Sequence, residues 1–232
     1  MNNEERDQAL YKYPGSDVLR NKLGIQDAET LDMRERQLVS LRVREGVPGG
    51  DFDVRHLQNI HHHLFQDVYE WAGELRQVEF HKGGYQFLSP KRLEMGMADV
   101  HKRLSEQQFL QGRSADDFAT EAAEYIGDIN RLHPFREGNG RTQLLFLQQL
   151  GEQAGHTIDL TRFTRETWIP ASIESTRFHS ARMAECIKIA VSTEQQRQEL
   201  DLDKVKQKAE EHLRKERESR SQSQDNGQGK DI

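Results

Sequence analysis

Apolar side chains recur along most of the chain at spacings of three and four, a pattern that predicts a helical protein. Leu31, Leu38 and Leu41 mark one face of a charged helix over about 29–45, which Pro48-Gly49-Gly50-Asp51 stops. A second helix is predicted over Val54–Phe65, turning Leu57, Ile60, Leu64 and Phe65 inward. Leu93, Met97, Val100 and Leu104 predict another over about 90–108, entered through Ser89-Pro90 as a cap followed by proline at the first helical position. Ser114 caps the next, whose inner face carries Phe118, Ala122, Tyr125, Ile126 and Ile129. From Gly140 to Ala154 the chain is apolar on nearly every side, with Leu144, Leu145, Phe146, Leu147 and Leu150, as suits a helix in the middle of a domain. Further helices are predicted over about 164–175 and 178–191.

The period changes once. Leu75, Val78, Phe80, Tyr85 and Phe87 flank His81-Lys82-Gly83-Gly84, which predicts a short hairpin turning on two glycines. Residues 1–17 read as an extended leader, with Tyr13-Pro14-Gly15-Ser16 as a turn and Ser16 or Asp17 as a helix cap. After Thr193 the composition shifts to Glu, Gln, Lys, Arg and Ser, so 194–218 reads as a solvated helix and the end as disordered. The predicted organisation is a leader (1–17), one domain (18–193), and a charged helix with a disordered tail (194–232). The fold class is all-α, with one small hairpin.

Composition narrows the function classes. The 34% apolar content rises to only about 41% when the 17 glycines are added, and part of the shortfall lies in the tail. A net charge of -6 disfavours general nucleic-acid affinity, which needs a positive face to displace counterions. Cys186 is the single cysteine, which excludes an intrachain disulfide and a Cys-x-x-Cys motif and suits a reducing cytosol. No apolar stretch reaches membrane-spanning length, and Met1-Asn2-Asn3-Glu4-Glu5-Arg6 lacks the basic start of a signal peptide. A cytoplasmic protein is expected, with delivery into another cell by a signal-independent route left open.

The densest chemistry lies in residues 133–142, His-Pro-Phe-Arg-Glu-Gly-Asn-Gly-Arg-Thr. A helix beginning at Asn139-Gly140-Arg141 presents unpaired N–H groups, and the flanking Gly138 and Gly140 let an anion approach them. Glu137 offers a hard oxygen ligand for Mg²⁺, and Arg141 a permanent charge that can clamp phosphates. His133 carries an imidazole suited to take a proton from an attacking hydroxyl. Phe135 reads as an anchor that docks the loop into the core. Together these residues favour nucleotidyl or phosphoryl transfer. His61-His62-His63 read as packing histidines, because consecutive helical residues diverge and cannot share one ion. Trp71 and Trp168 read as core anchors.

The stretch resembles the signature of the Fic family of protein AMP-transferases, His-x-Phe-x-[Asp/Glu]-Gly-Asn-Gly-Arg-x-x-Arg, at every fixed position from 133 to 141. Residues 11–25 also look like the start of bacterial Fic toxins and Fic-bearing effectors, and the resemblance covers about 11–190. It implies a helical bundle with a hairpin flap, Gly83, Gly84, Tyr85, Gln86 and Phe87, to which a target strand adds by backbone pairing. Phe87 is then a clamp on the target residue. By the same resemblance His133 is the general base toward a Tyr, Thr or Ser hydroxyl, and Glu137 holds Mg²⁺. Phe135, Arg136, Gly138, Asn139, Gly140 and Arg141 form the ATP site, with Asn139 and its flanking glycines around the α-phosphate and Arg141 on the distal phosphates. Residues 172–182 help form the adenine pocket.

The signature's last arginine is Leu144 here. Its loss bears on triphosphate binding, and keeps open a different transfer (phosphate, UMP or phosphocholine) or a catalytically impaired interaction module. The kinase branch of the wider fold is similar at that leucine but carries lysine at the position of Gly140, so Gly140 favours AMP transfer. The family's inhibitory pattern, [Ser/Thr]-x-x-x-Glu-[Gly/Asn], has no match: Glu45-Gly46 has Leu41 at the hydroxyl position, and Ser221 is followed by Asp225-Asn226. A separate antitoxin-type inhibitor is therefore the expected partner besides the target protein.

Overall fold

Several helices begin where an Asx or Ser side chain accepts from an orphan N–H. In the computed structural model, which describes residues 1–193, Asp27 accepts from the Thr30 N–H at 2.8 Å to open α2 (Ala28–Glu45). Asp53 does the same for His56 at the head of α3 (Val54–Phe65), and Ser114 for Asp117 at the head of α5 (Ala115–Leu132). Between them, β1 (His81–Lys82) and β2 (Tyr85–Gln86) pair antiparallel, with His81 opposite Gln86 and Lys82 opposite Tyr85. Gly83 and Gly84 take φ of 57° and 76°, the double left-handed step that a two-residue hairpin turn requires.

A short 3-10 turn at Pro90–Arg92 leads into α4 (Leu93–Glu106), whose Leu93, Met97, Val100 and Leu104 are all buried. The hydrophobic core centres on α5 and α6 (Asn139–Ala154), with α3 and α4 packed beside them. A three-residue strand, β3 (His156–Ile158), α7 (Arg165–Ser175) and α8 (Ala181–Ala190) follow, α8 lying against α5. The pattern of four leucines and a phenylalanine in the sixth helix is satisfied from several sides at once: Leu145, Phe146, Leu147 and Leu150 are buried, and Leu144 is partly so.

Three expectations are corrected. The leader is not extended: Asn3–Tyr11 form α1, closed by a reciprocal cap in which Asn2 accepts from the Glu5 N–H while Glu5 accepts from the Asn2 N–H. No helix starts at Ser16 or Asp17, because that segment folds back on α1, with the Arg20 N–H donating to the Tyr11 carbonyl at 2.8 Å and Asp17 held by Lys12. The inner face of α2 is Leu31, Glu35 and Val39, while Leu41 is 53% exposed. A carboxylate at the centre of the buried stripe hid that face from an apolar pattern. β3 was not predicted, since three residues carry too little alternation to register. The charged helix and tail predicted for 194–232 lie outside the described residues.

Candidate active site

The motif loop joins the end of α5 to the start of α6, so one helix C-terminus and one helix N-terminus meet around it. His133 ends α5 in the left-handed region, φ 47° and ψ 61°, a conformation that a non-glycine residue adopts only when its surroundings hold it. The hold comes from Arg76, which is 2% exposed. Its Nε donates to the His133 carbonyl at 2.8 Å and its Nη2 to the Leu132 carbonyl at 3.1 Å, which satisfies the orphan carbonyls of the helix end. The same guanidinium donates to the carbonyls of Val78 (2.6 Å) and Leu88, on either leg of the hairpin. One buried arginine thus ties the root of the hairpin to the turn at His133.

The His133 ring stacks on Phe87 at 4.1 Å between centroids and faces Phe80 at 5.4 Å. Its Nδ1 is buried without a hydrogen-bond partner, so Nε2 is the nitrogen left for a substrate. Burial, with the Lys82 and Arg76 cations beside it, pushes the imidazole down to about 3. The ring is therefore neutral at neutral pH, with one nitrogen protonated and the other able to accept a proton. Phe87, expected from the resemblance to clamp a target residue, is 5% exposed and stacks on the His133 imidazole; the exposed tip of the hairpin is Gly83 and Gly84.

Phe135 is fully buried and stacks on His61 at 3.9 Å. His61 is one of three adjacent histidines whose rings go three ways: His62 bonds the Ala72 carbonyl, His63 the Arg42 carbonyl, and His61 the loop. The Gly73 N–H donates to its Nδ1 at 2.8 Å, so Nε2 carries the proton and donates to the Glu137 carbonyl at 3.0 Å. The ring is fully buried and its pKa is lowered to about 3, chiefly by burial. It stays neutral in the folded state while the unfolded chain takes up a proton below pH 6.5. Stability should accordingly fall with acidification, by about 2 kcal/mol between pH 6.5 and about pH 5 from this residue. Denaturant unfolding of the metal-free protein checks this: His61→Gln should flatten the slope in that window, and an unchanged slope would exclude the assignment.

Asn139 uses its whole side chain on the loop. Its Oδ1 accepts from the Phe135 N–H at 3.0 Å and its Nδ2 donates to the Phe135 carbonyl at 2.8 Å. The side chain placed at the α-phosphate by sequence is a clasp, and what it leaves for an anion is the helix terminus itself. Gly138, with φ 80°, is the N-cap of α6 and provides no side-chain cap, so the first-turn N–H groups are free of one. A Cβ on Gly138 would come within 2.3 Å of the Phe65 ring, whereas one on Gly140 would meet nothing within 4 Å. The first glycine is required by packing; the second faces open space above the helix terminus.

Glu137 is exposed, and its Oε1 accepts from the Gly138 N–H at 2.8 Å. Among the described residues no cluster of three or more His, Cys, Asp or Glu side chains could cage a metal. One open carboxylate beside a phosphate cradle fits Mg²⁺, which takes few protein ligands and completes its shell with phosphate and water. Arg141 lies over the Phe65 ring at 4.6 Å and donates from Nη2 to Glu35 at 2.5 Å, with Glu137 at 3.7 Å. The Tyr69 hydroxyl donates to the other oxygen of Glu35, and burial beside that carboxylate raises the phenol. Arg136 points away from the cradle: it makes a bidentate pair with Asp7 at 2.6 and 3.0 Å.

Arg76, His61, Glu35, Tyr69 and Asp7 thus support the motif from outside it. Glu35 had a readable signal, a carboxylate four residues from both Leu31 and Val39 on one helix face. Arg76 had one too, a lone cation between Leu75 and Val78. Asp7 had none, because its partner lies far along the chain.

Comparison with known proteins agrees with this geometry. Residues 51–150 match the Fic/DOC family. The chain is 40% identical over 164 residues to a probable protein adenylyltransferase, y4lH, of Sinorhizobium fredii, covering 70% of this chain and 85% of the relative. It is 39% identical over 181 residues to the protein adenylyltransferase VbhT of Bartonella schoenbuchensis, covering 77% of this chain and 38% of that longer protein. The crystal structure of BepC, a VirB-translocated effector of Bartonella tribocorum with bound AMPPNP, superposes with a TM-score of 0.75 at 30% identity, over 81% of this chain and 98% of that one. The ADP-bound Fic domain of a Bartonella quintana effector gives 0.74 at 32% identity, over 79% and 94%. With 40% identity over 85% of a curated relative and a helical fold shared with solved Fic domains, the chain belongs to the Fic/DOC family, as an enzyme of the nucleotidyltransferase class.

Proposed function

We propose that this enzyme transfers AMP from ATP, with Mg²⁺, to a Tyr, Thr or Ser hydroxyl of another protein. The observation that carries the reading is the uncapped N-terminus of the 16-residue helix α6, with open space at Gly140 and a neutral imidazole on the preceding turn. The α-phosphate sits on the first-turn N–H groups, where the helix dipole and the orphan donors act together. Mg²⁺ held by Glu137 supplies charge neutralisation of the phosphate oxygens. Arg141 is the one cation in α6 and takes the distal phosphates, the position three residues on being Leu144, which packs against the core.

The target hydroxyl loses its proton to His133 Nε2 as its oxygen bonds to the α-phosphorus. The bond to the bridging oxygen breaks, and pyrophosphate leaves with that electron pair. A pKa of about 3 in the free enzyme makes imidazole a weak base. The negative charge of the bound triphosphate raises its basicity at the moment the proton moves. The target lies along the hairpin edge, where backbone pairing presents a hydroxyl without selecting a particular side chain. The effector relatives support delivery into another cell, and the missing inhibitory pattern supports control by a separate protein.

Labelled nucleotide tests the reading. With a bacterial or host lysate, label from the α-phosphate of ATP should appear on protein and label from the γ-phosphate should not; the reverse would make the enzyme a kinase. Gly140→Lys should fold normally, because its Cβ meets nothing, yet lose transfer by about 10²-fold or more as the side chain fills the cradle.

A further inference from the structure

Helix α1 is attached to the domain in an unusual way. Only Tyr11 of its nine residues is buried, so apolar burial contributes little to docking it. Its docking is polar, and uses one face: Asn3, Asp7 and Tyr11, four residues apart. Each of these side chains grips the flap root or the catalytic loop. Asn3 Nδ2 donates to the Glu79 carbonyl at 3.0 Å and the Glu79 N–H donates to Asn3 Oδ1 at 2.7 Å, so a side-chain amide imitates a neighbouring strand. The Gln77 N–H donates to the Tyr11 hydroxyl at 3.0 Å. Asp7 holds Arg136 through both carboxylate oxygens, with side chains only 16% and 12% exposed, and Arg136 lies over the Phe80 ring at 5.2 Å. Glu79 in turn accepts from the Ser89 hydroxyl at 2.8 Å, which closes the return leg of the hairpin.

We infer that α1 is a strut that sets the flap against the catalytic turn, with Asn3 and Asp7 as positioning residues for the docked target. The inference rests on the AMP-transfer reading for its consequence, although not for its geometry. A charge-assisted bidentate pair fixes direction as well as distance. The reciprocal amide clamp at Glu79 places the strand that enters β1. With both ends of α1 on the flap root, through Asn3 and Tyr11, and its middle on the motif loop through Asp7, the flap edge is held relative to His133. Neither Asn3 nor Asp7 reaches the phosphate cradle, so nucleotide binding is independent of them.

Hydrogen exchange is the primary test. Asn3→Ala should speed exchange at residues 79–87 while α3, α5 and α6 exchange as before. With α-labelled ATP and a bacterial lysate as the protein substrate, Asn3→Ala and Asp7→Asn should transfer about tenfold more slowly at low lysate concentration, and recover as it is raised. Calorimetric binding of AMPPNP with Mg²⁺ should stay within about twofold of wild type. Asp7→Glu, which keeps a carboxylate for Arg136, should restore most of the rate. Unchanged exchange across the flap in Asn3→Ala would overturn the strut, as would a deficit that high lysate concentration does not relieve. If the wild-type protein transfers no AMP, the functional reading fails, while exchange at 79–87 still decides the strut.

Discussion

His133→Ala is expected to lower AMP transfer by about 10²–10⁴-fold, the range that removal of a general base typically produces, while nucleotide binding changes little. The split follows from where the ring sits. Its Nδ1 is buried and its face lies on Phe87, so the imidazole touches the flap and is no part of the α6 terminus proposed to take the phosphate. Rates with α-labelled ATP together with calorimetry on the same variant measure both quantities. An equal loss of affinity and rate would mean that the histidine binds nucleotide, and a rate within about threefold of wild type would remove it from the chemistry.

Arg76→Met is expected to have the largest effect on stability. Methionine fills much of the same space but donates nothing, and the carbonyls of Leu132, His133, Val78 and Leu88 lose a shared partner. Burial lowers the guanidinium to about 10, still charged at neutral pH, and no carboxylate among the described residues pairs with it. The helix-end carbonyls are its counter-charge. Losing a buried charged hydrogen-bonding group of this kind costs about 3–5 kcal/mol. For a domain of this size that corresponds to a drop of about 10–15 °C in Tm. Activity should fall further than stability alone dictates, because nothing then holds His133 in its left-handed conformation. Thermal unfolding checks the first part. Wild-type Tm in Arg76→Met would contradict the account.

Most of the fold was legible because its helices obey the simplest code. The Leu93, Met97, Val100, Leu104 stripe and the Leu57, Ile60, Leu64, Phe65 stripe are buried as their spacing requires. The hairpin was legible from two glycines, since few other residues accept two successive left-handed steps. α1 was not, because a helix docked by Asn3, Asp7 and Tyr11 has no apolar stripe to read. The inner face of α2 was hidden for a related reason: the buried carboxylate of Glu35 breaks its apolar stripe.

Within the motif the residue types were legible, and the partners of two of them were not. Asn139 and Arg136 look like phosphate ligands in sequence, yet one clasps Phe135 and the other pairs with Asp7. Short motifs state which groups are near one another, but not which of them are already engaged by the fold. That information lies in partners distant along the chain.

The most direct test of the central claim is a crystal structure of the enzyme with Mg²⁺ and a non-hydrolysable ATP analogue. The account predicts the α-phosphate on the first-turn N–H groups of α6 beside Gly140, Mg²⁺ on Glu137, and the α-phosphorus facing His133 Nε2. A γ-phosphate in that cradle, with the nucleotide reversed, would contradict it.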